Sequence, residues 1–119
     1  MASGESRLRV KTEGNVTRVE FVDRNILDEG NIQQIGDEIL RLIDEQDHPK
    51  LLISFANVEH LSSAALGTLI TINTKIRAKD GQLRLTDIDP QIYEVFVITK
   101  LNKLFEIHDT SSDALSSFE

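Results

Sequence analysis

Two adjacent hydroxyl residues followed by small ones, Ser62-Ser63-Ala64-Ala65-Leu66-Gly67, form the segment of this sequence best placed to do chemistry. An apolar run ends before them and an apolar helical stripe begins after them, so they lie where a strand passes through a loop into a helix. A helix start carries free backbone N–H groups and a partial positive charge, and an added anion is favoured there. Phosphorylation would bring about −1.5 to −2 units of charge to that point and transform the surface around it. A serine here also has a purely structural use as an N-cap, for which Ser, Thr, Asp and Asn are strongly preferred. Both uses stand open for Ser62 and Ser63.

Other chemistries find less support in the residues. His48, His60 and His108 have no Gly-x-Ser-x-Gly elbow to serve, so a hydrolytic triad is not expected. The absence of cysteine removes disulfides, thiolate catalysis and zinc-thiolate sites together. Gly30, Gly36, Gly67 and Gly81 are too scattered to form a phosphate-cradling loop. Asp28 could accept a hydrogen bond from a partner's arginine, or act as a turn or cap group ahead of a helix. Asp37, Glu38, Asp44 and Glu45 read as a solvated helix face. The expectation is a protein without enzymatic activity, metal or cofactor.

Elements that must position these residues follow from periodicity. Residues 1–7 are small and polar and read as a flexible tail, leaving 8–118 as one domain. Leu8 and Val10 alternate with Arg9 and Lys11, Glu13-Gly14-Asn15 offers a turn, and Val16 to Val22 is rich in β-formers, which predicts an opening hairpin. Apolar residues at 32, 35, 39, 42 and 43 predict a helix from about Asn31 to Glu45. After His48-Pro49, the run Leu51 to Phe55 suits a strand buried on both faces. A second helical stripe at Leu66, Leu69, Ile70 and Ile76 closes at Asp80-Gly81. Leu83 and Leu85 mark a further strand, and Asp89-Pro90 caps a helix whose Ile92, Val95 and Phe96 share a face. Leu104 to Ile107 suits a last short strand, and Thr110-Ser111-Ser112-Asp113 resembles a capping box. The order is roughly ββαβαβαβα.

Composition bounds the partners. The chain has 119 residues, room for one core, and 39% apolar with 28% charged residues is ordinary for a folded domain. Thirteen basic against twenty acidic residues give a net charge of −7, which repels a phosphate backbone and argues against direct nucleic-acid binding. Neither a secretory signal nor a membrane-spanning run is legible, so a cytoplasmic protein without a membrane partner is expected.

The sequence Ser62-Ser63-Ala64-Ala65-Leu66-Gly67 resembles the signature of anti-sigma factor antagonists, the STAS family, usually written Asp-Ser-Ser/Thr-Gly-Leu-Gly. Ile26-Leu27-Asp28 and Leu101-Asn102-Lys103-Leu104-Phe105 are similar to further family segments, and the resemblance covers about residues 8–118. It implies a mixed sheet of four to five strands packed with about four helices. It also implies an anti-sigma factor with serine kinase activity as partner, docked through residues 24–30 and the start of the second helix. Asp28, Ser62, Ser63 and Ala64 would belong to that surface. Anchored on Leu66-Gly67, the family's aspartate falls on Ser62, its phosphoacceptor on Ser63, its second hydroxyl on Ala64 and its glycine on Ala65. Ser63 is therefore the first candidate for phosphorylation and Ser62 the second. The lost aspartate leaves an alternative, a STAS scaffold subunit of a sensory complex that is never phosphorylated.

Overall fold

The computed structural model describes residues 8–21, 25–26, 29–56, 58 and 60–118. Strands β1 (Leu8–Glu13), β2 (Val16–Phe21), β4 (Lys50–Ser54), β6 (Gln82–Thr86) and β7 (Glu106–His108) form one sheet in the order β1-β2-β4-β6-β7. Strand β1 pairs antiparallel with β2 and every later neighbour is parallel. Four helices accompany the sheet, α1 (Glu29–Asp44), α2 (Ser63–Ala78), α3 (Pro90–Ile98) and α4 (Ser111–Ser117). Two short strands, β3 (Asn25–Ile26) and β5 (His60–Leu61), pair parallel with each other outside the main sheet.

Strand β4 is the centre of the molecule because both its faces are covered. Leu51 and Ile53 point into the main core with Ile35, Ile39, Ile72, Ile76 and Phe96, whereas Leu52 faces a second cluster with Val16 and Ala114. Period-two alternation thus divides a continuously apolar run between two cores. The interior strand expected at 51–55 is found, one residue earlier in its bounds, with Ile53 fully buried.

The hairpin turns where expected, with Gly14 at φ 62 supplying the positive angle that a side chain resists. On this edge strand Leu8 is buried but Val10 is exposed. Val22 lies outside the described residues, as do residues 1–7. Helix α1 begins at Glu29, ahead of the expected Asn31, and buries Ile32, Ile35, Ile39 and Ile43. The caps at Asp89 and Thr110 form as read, their side chains accepting from Gln91 N–H at 2.8 Å and Asp113 N–H at 3.1 Å.

Two helices turn differently from their apolar patterns. In α2 the buried residues are Ala65, Leu69, Ile72, Asn73 and Ile76, and Ile70 lies exposed. In α3 Ile92 and Phe96 are buried while Val95 is exposed. An i, i+4 pair sets each inward line, and the extra apolar residue one position away is rotated off it.

Helix α4 covers the face opposite α1 and α2. Arg84 on β6 holds it there, giving Nε to Ser117 Oγ at 2.8 Å and pairing with Glu106 at 2.7 Å, its guanidinium carbon 4.9 Å from the centre of the Phe118 ring. Burial pushes the Glu106 carboxyl up, but the hydrogen bond from His108 and the charge of Arg84 outweigh it and hold the group below its usual range.

Helices α1 and α2 approach closely at Gly36, where an added Cβ would stand 2.8 Å from Thr68 Cγ2. Overpacking of this kind costs about 1–3 kcal/mol, and the helix propensity gained on Gly→Ala returns about 1 kcal/mol. Gly36→Ala alone is expected to lower stability by about 1 kcal/mol net. Combined with Thr68→Ala, which removes the opposing methyl, it should recover most of that difference. Urea midpoints of the two single variants and the double check this.

Candidate functional site

The start of α2 separates the two serines. Ser62 is the N-cap, with extended backbone (φ −82, ψ 166), and its Oγ accepts from Ala65 N–H at 3.1 Å. Its carbonyl accepts from Leu66 N–H at 3.1 Å, opening the helical ladder. Ser63 is the first helical residue and is exposed, as is Ala64 after it. No hydrogen bond engages the Ser63 hydroxyl, or the N–H groups of Ser63 and Ala64, among the described residues. The first turn carries no acidic side chain. Ser62 therefore serves the structural use of a serine at this position, capping the helix, and Ser63 stands exposed at its first residue, near the positive end of the helix dipole.

Ser62→Ala removes the cap and is expected to cost about 1 kcal/mol of stability. Ser63→Ala leaves it intact and should change stability by no more than about 0.5 kcal/mol, a contrast that thermal melts of the two variants will read.

Of the segment at residues 24–30, Asn25 and Ile26 pair with the strand that precedes the serines. Strands β3 and β5 run parallel in the register Asn25↔His60 and Ile26↔Leu61. In chain order each of these strands is followed by a helix, β3 by α1 from Glu29 and β5 by α2 from Ser63. This ladder brings Asn25 and Ile26 beside the two residues that precede Ser62. Asp28 itself lies outside the described residues.

The root of the serine loop is held by a group that the sequence reading passed over. Asp87 Oδ2 accepts from Ser54 Oγ at 3.0 Å, Thr86 Oγ1 at 2.9 Å and Ser111 Oγ at 2.9 Å. These donors stand at the ends of β4 and β6 and at the start of α4, which are distant in sequence. Isolated hydroxyl residues carry no periodic signal, so only the parallel pairing of Ser54 with Thr86 could have exposed the cluster.

His48 and His108 are occupied away from the serines, His48 against Lys79 O at 3.3 Å and His108 against Glu106 at 2.7 Å. Nothing is described of the His60 side chain. Among the described residues no three His, Asp or Glu side chains are grouped to hold a metal, and no helix is long and apolar enough to cross a membrane. A hollow of about 270 Å³ beside β7 is lined by Ile88, Pro90, Tyr93, Ile107, His108 and Asp109, and neither serine contributes to it.

Fold and site together define an α/β module that presents a capped helix start at its surface. The family model of the STAS domain matches residues 8–114, and the chain belongs to that family. It is 21% identical over 96 residues to BtrV of Bordetella bronchiseptica, which bears an anti-sigma factor antagonist name, covering 81% of this chain and 82% of the relative. Among solved structures, a STAS-domain anti-sigma-factor antagonist from Planctomyces limnophilus superposes with a TM-score of 0.85 at 24% identity, over 92% of this chain and 96% of its own. The Bacillus cell-fate determinant SpoIIAA, solved in its phosphorylated form, superposes with a TM-score of 0.70 at 16% identity, over 92% and 96% respectively. The mixed five-stranded sheet with four helices is the architecture that the resemblance implied.

Proposed function

We propose that this chain acts as an anti-sigma factor antagonist: it binds an anti-sigma factor with serine kinase activity, and phosphorylation of Ser63 releases that partner. The observation that carries this reading is the division of labour at the start of α2. With Ser62 occupied by its cap bond to Ala65, Ser63 is exposed in the first turn, beside backbone donors that favour a phosphate. The antagonist name of the Bordetella relative and the phosphorylated state of the solved Bacillus protein support the same reading. Residues Ser63 and Ala64 would contribute to the docking surface, with Ser62 at its edge and Asp28 on the adjoining segment.

A binding role fits the exposed Ser63 hydroxyl better than a nucleophilic one, because His48 and His108 are engaged elsewhere and no base is described beside Ser63. The test uses the tagged full chain as bait in an extract of its native cell, with identification of retained proteins and quantitative mapping of phosphate on the bait. Retention of an anti-sigma kinase with phosphate at Ser63 is the expected result. Phosphate at Ser62 alone would overturn the residue assignment. A retained partner with neither serine modified would replace this reading with that of an unphosphorylated scaffold subunit in a sensory complex.

A further inference from the structure

We propose that Asp87 is a positioning residue that clamps the root of the serine loop and so fixes how the start of α2 is presented. Ser54 and Thr86 are almost fully buried, at 1% and 0% exposure, and a buried hydroxyl without an acceptor is destabilising. One oxygen of the half-buried Asp87 carboxylate satisfies both and takes Ser111 as well. Hydrogen bonds to an ionised acceptor are the stronger kind. Committing the Ser54 proton to Asp87 leaves Ser54 Oγ to accept from Ala56 N–H at 3.4 Å. Phe55 N–H donates to Thr86 O at 2.9 Å and Val58 N–H to Phe55 O at 2.9 Å, so the first turn of the loop hangs from the same corner. The buried side chains of Phe55 and Val58 seat it in the core.

Asp87 itself sits in the left-handed region at φ 59, where a residue with a side chain is held only when its surroundings specify it. Glycine would suit that backbone better, so the carboxylate occupies the position against local preference. That makes Asp87→Gly an informative variant: it relaxes the backbone and deletes the acceptor, separating a turn role from a clamp role. Asp87→Asn tolerates the same backbone and restores one acceptor oxygen.

The functional half of the inference rests on the reading of α2 as the docking site, and the experiment keeps the two apart. Amide exchange is measured on the free full chain, and partner affinity is measured separately for the same variants. In Asp87→Gly the amides of Ala56, Val58 and Leu61 should exchange about tenfold faster, with those of Ile39 and Ile43 in α1 and Ile53 in β4 within about twofold of wild type. Asp87→Asn should return the loop most of the way, and Ser54→Ala should reproduce Asp87→Gly without adding to it in the double variant. Affinity for the anti-sigma partner should fall about tenfold in Asp87→Gly and recover in Asp87→Asn. Unchanged loop exchange in Asp87→Gly, equal acceleration in β4, or no rescue by asparagine overturns the clamp. Faster loop exchange with unchanged affinity overturns its link to docking. If wild type retains no anti-sigma partner, the functional reading fails and the exchange result alone decides the clamp.

Discussion

Ser63→Asp is expected to weaken binding of the anti-sigma partner by about 10- to 100-fold while leaving the melting temperature unchanged or slightly raised. The two halves have different physical origins. Within the domain, a negative side chain in the first turn of α2 meets the positive end of the helix dipole, a gain of about 0.3–1 kcal/mol at an exposed position. The Ser62 cap bond to Ala65 is untouched, since it uses the neighbouring side chain. At the interface the sign reverses, because a docked surface would have to desolvate a carboxylate that its groups are not arranged to pair. An imperfectly matched charge there costs about 2–3 kcal/mol, which is one to two powers of ten in affinity. Ser63→Ala should retain binding, because it removes only a hydroxyl with no described partner. Aspartate carries about half the charge of phosphate, so the effect of true phosphorylation should be larger. Titration calorimetry with the purified partner, alongside thermal melts, checks both halves. Equal affinities for Ser63→Asp and wild type would remove Ser63 from the docking surface.

The largest stability effect is expected one turn past the other end of α2, where Gly81→Ala should cost about 2–4 kcal/mol and its neighbour Asp80→Gly nothing. The residue in the left-handed conformation there is Asp80, at φ 56, and Gly81 has no positive φ. Glycine is needed at 81 for space: a Cβ would run into the carbonyl oxygen of Pro49 and lie 2.8 Å from Pro49 Cγ and 2.9 Å from Ile76 Cγ2. The obstacle cannot yield easily. Pro49 has a fixed φ, and its carbonyl is tied to Gln82 N–H at 2.8 Å, while Gly81 N–H is tied to Ile76 O at 2.8 Å. The first of those bonds leads into the pairing of β4 with β6 and the second ties the turn to the end of α2, so relief of the clash would disturb the centre of the sheet. Asp80→Gly, by contrast, puts glycine where the backbone prefers it and should be neutral or stabilising by up to about 1 kcal/mol. For a domain of this size, 1 kcal/mol corresponds to about 4 °C, so Gly81→Ala should melt about 8–16 °C lower. If Gly81→Ala melted with wild type while Asp80→Gly fell, the assignment of spatial need to 81 and conformational need to 80 would be reversed.

Local rules made much of the frame legible before any contact was known. Asp89-Pro90 and Thr110 announce helix starts because capping depends on neighbours two or three residues away, and both cap bonds form. The apolar run at 51–55 announces a central strand because only a strand covered on both faces tolerates such a sequence. The Ser62-Ser63 segment marks the candidate site by its place at a strand-to-helix passage and by its family resemblance. Which serine caps was not legible, since either type fits the position. Backbone geometry decides it, with Ser62 extended and Ser63 helical.

What tertiary structure alone decided are the features made by residues far apart in the chain. The rotation of α2 and α3 about their axes, which exposes Ile70 and Val95, follows from the cores those helices meet, and a stripe with one surplus apolar residue fits two rotations equally well. Two-residue strands such as β5 are too short for any period to show, and β5 exists only because β3 lies alongside. The need for glycine at 81 arises from Pro49, which sequence separation hides and the β4–β6 register reveals. Asp87 is the extreme case: its three hydroxyl partners come from β4, β6 and α4. By itself the sequence determined the longer helices and strands of this protein and the segment that carries its candidate site. The packing of those elements decided which serine caps the helix, which is exposed, and which groups meet at the root of the loop, because hydrogen bonds and close contacts depend on positions in space rather than on order along the chain.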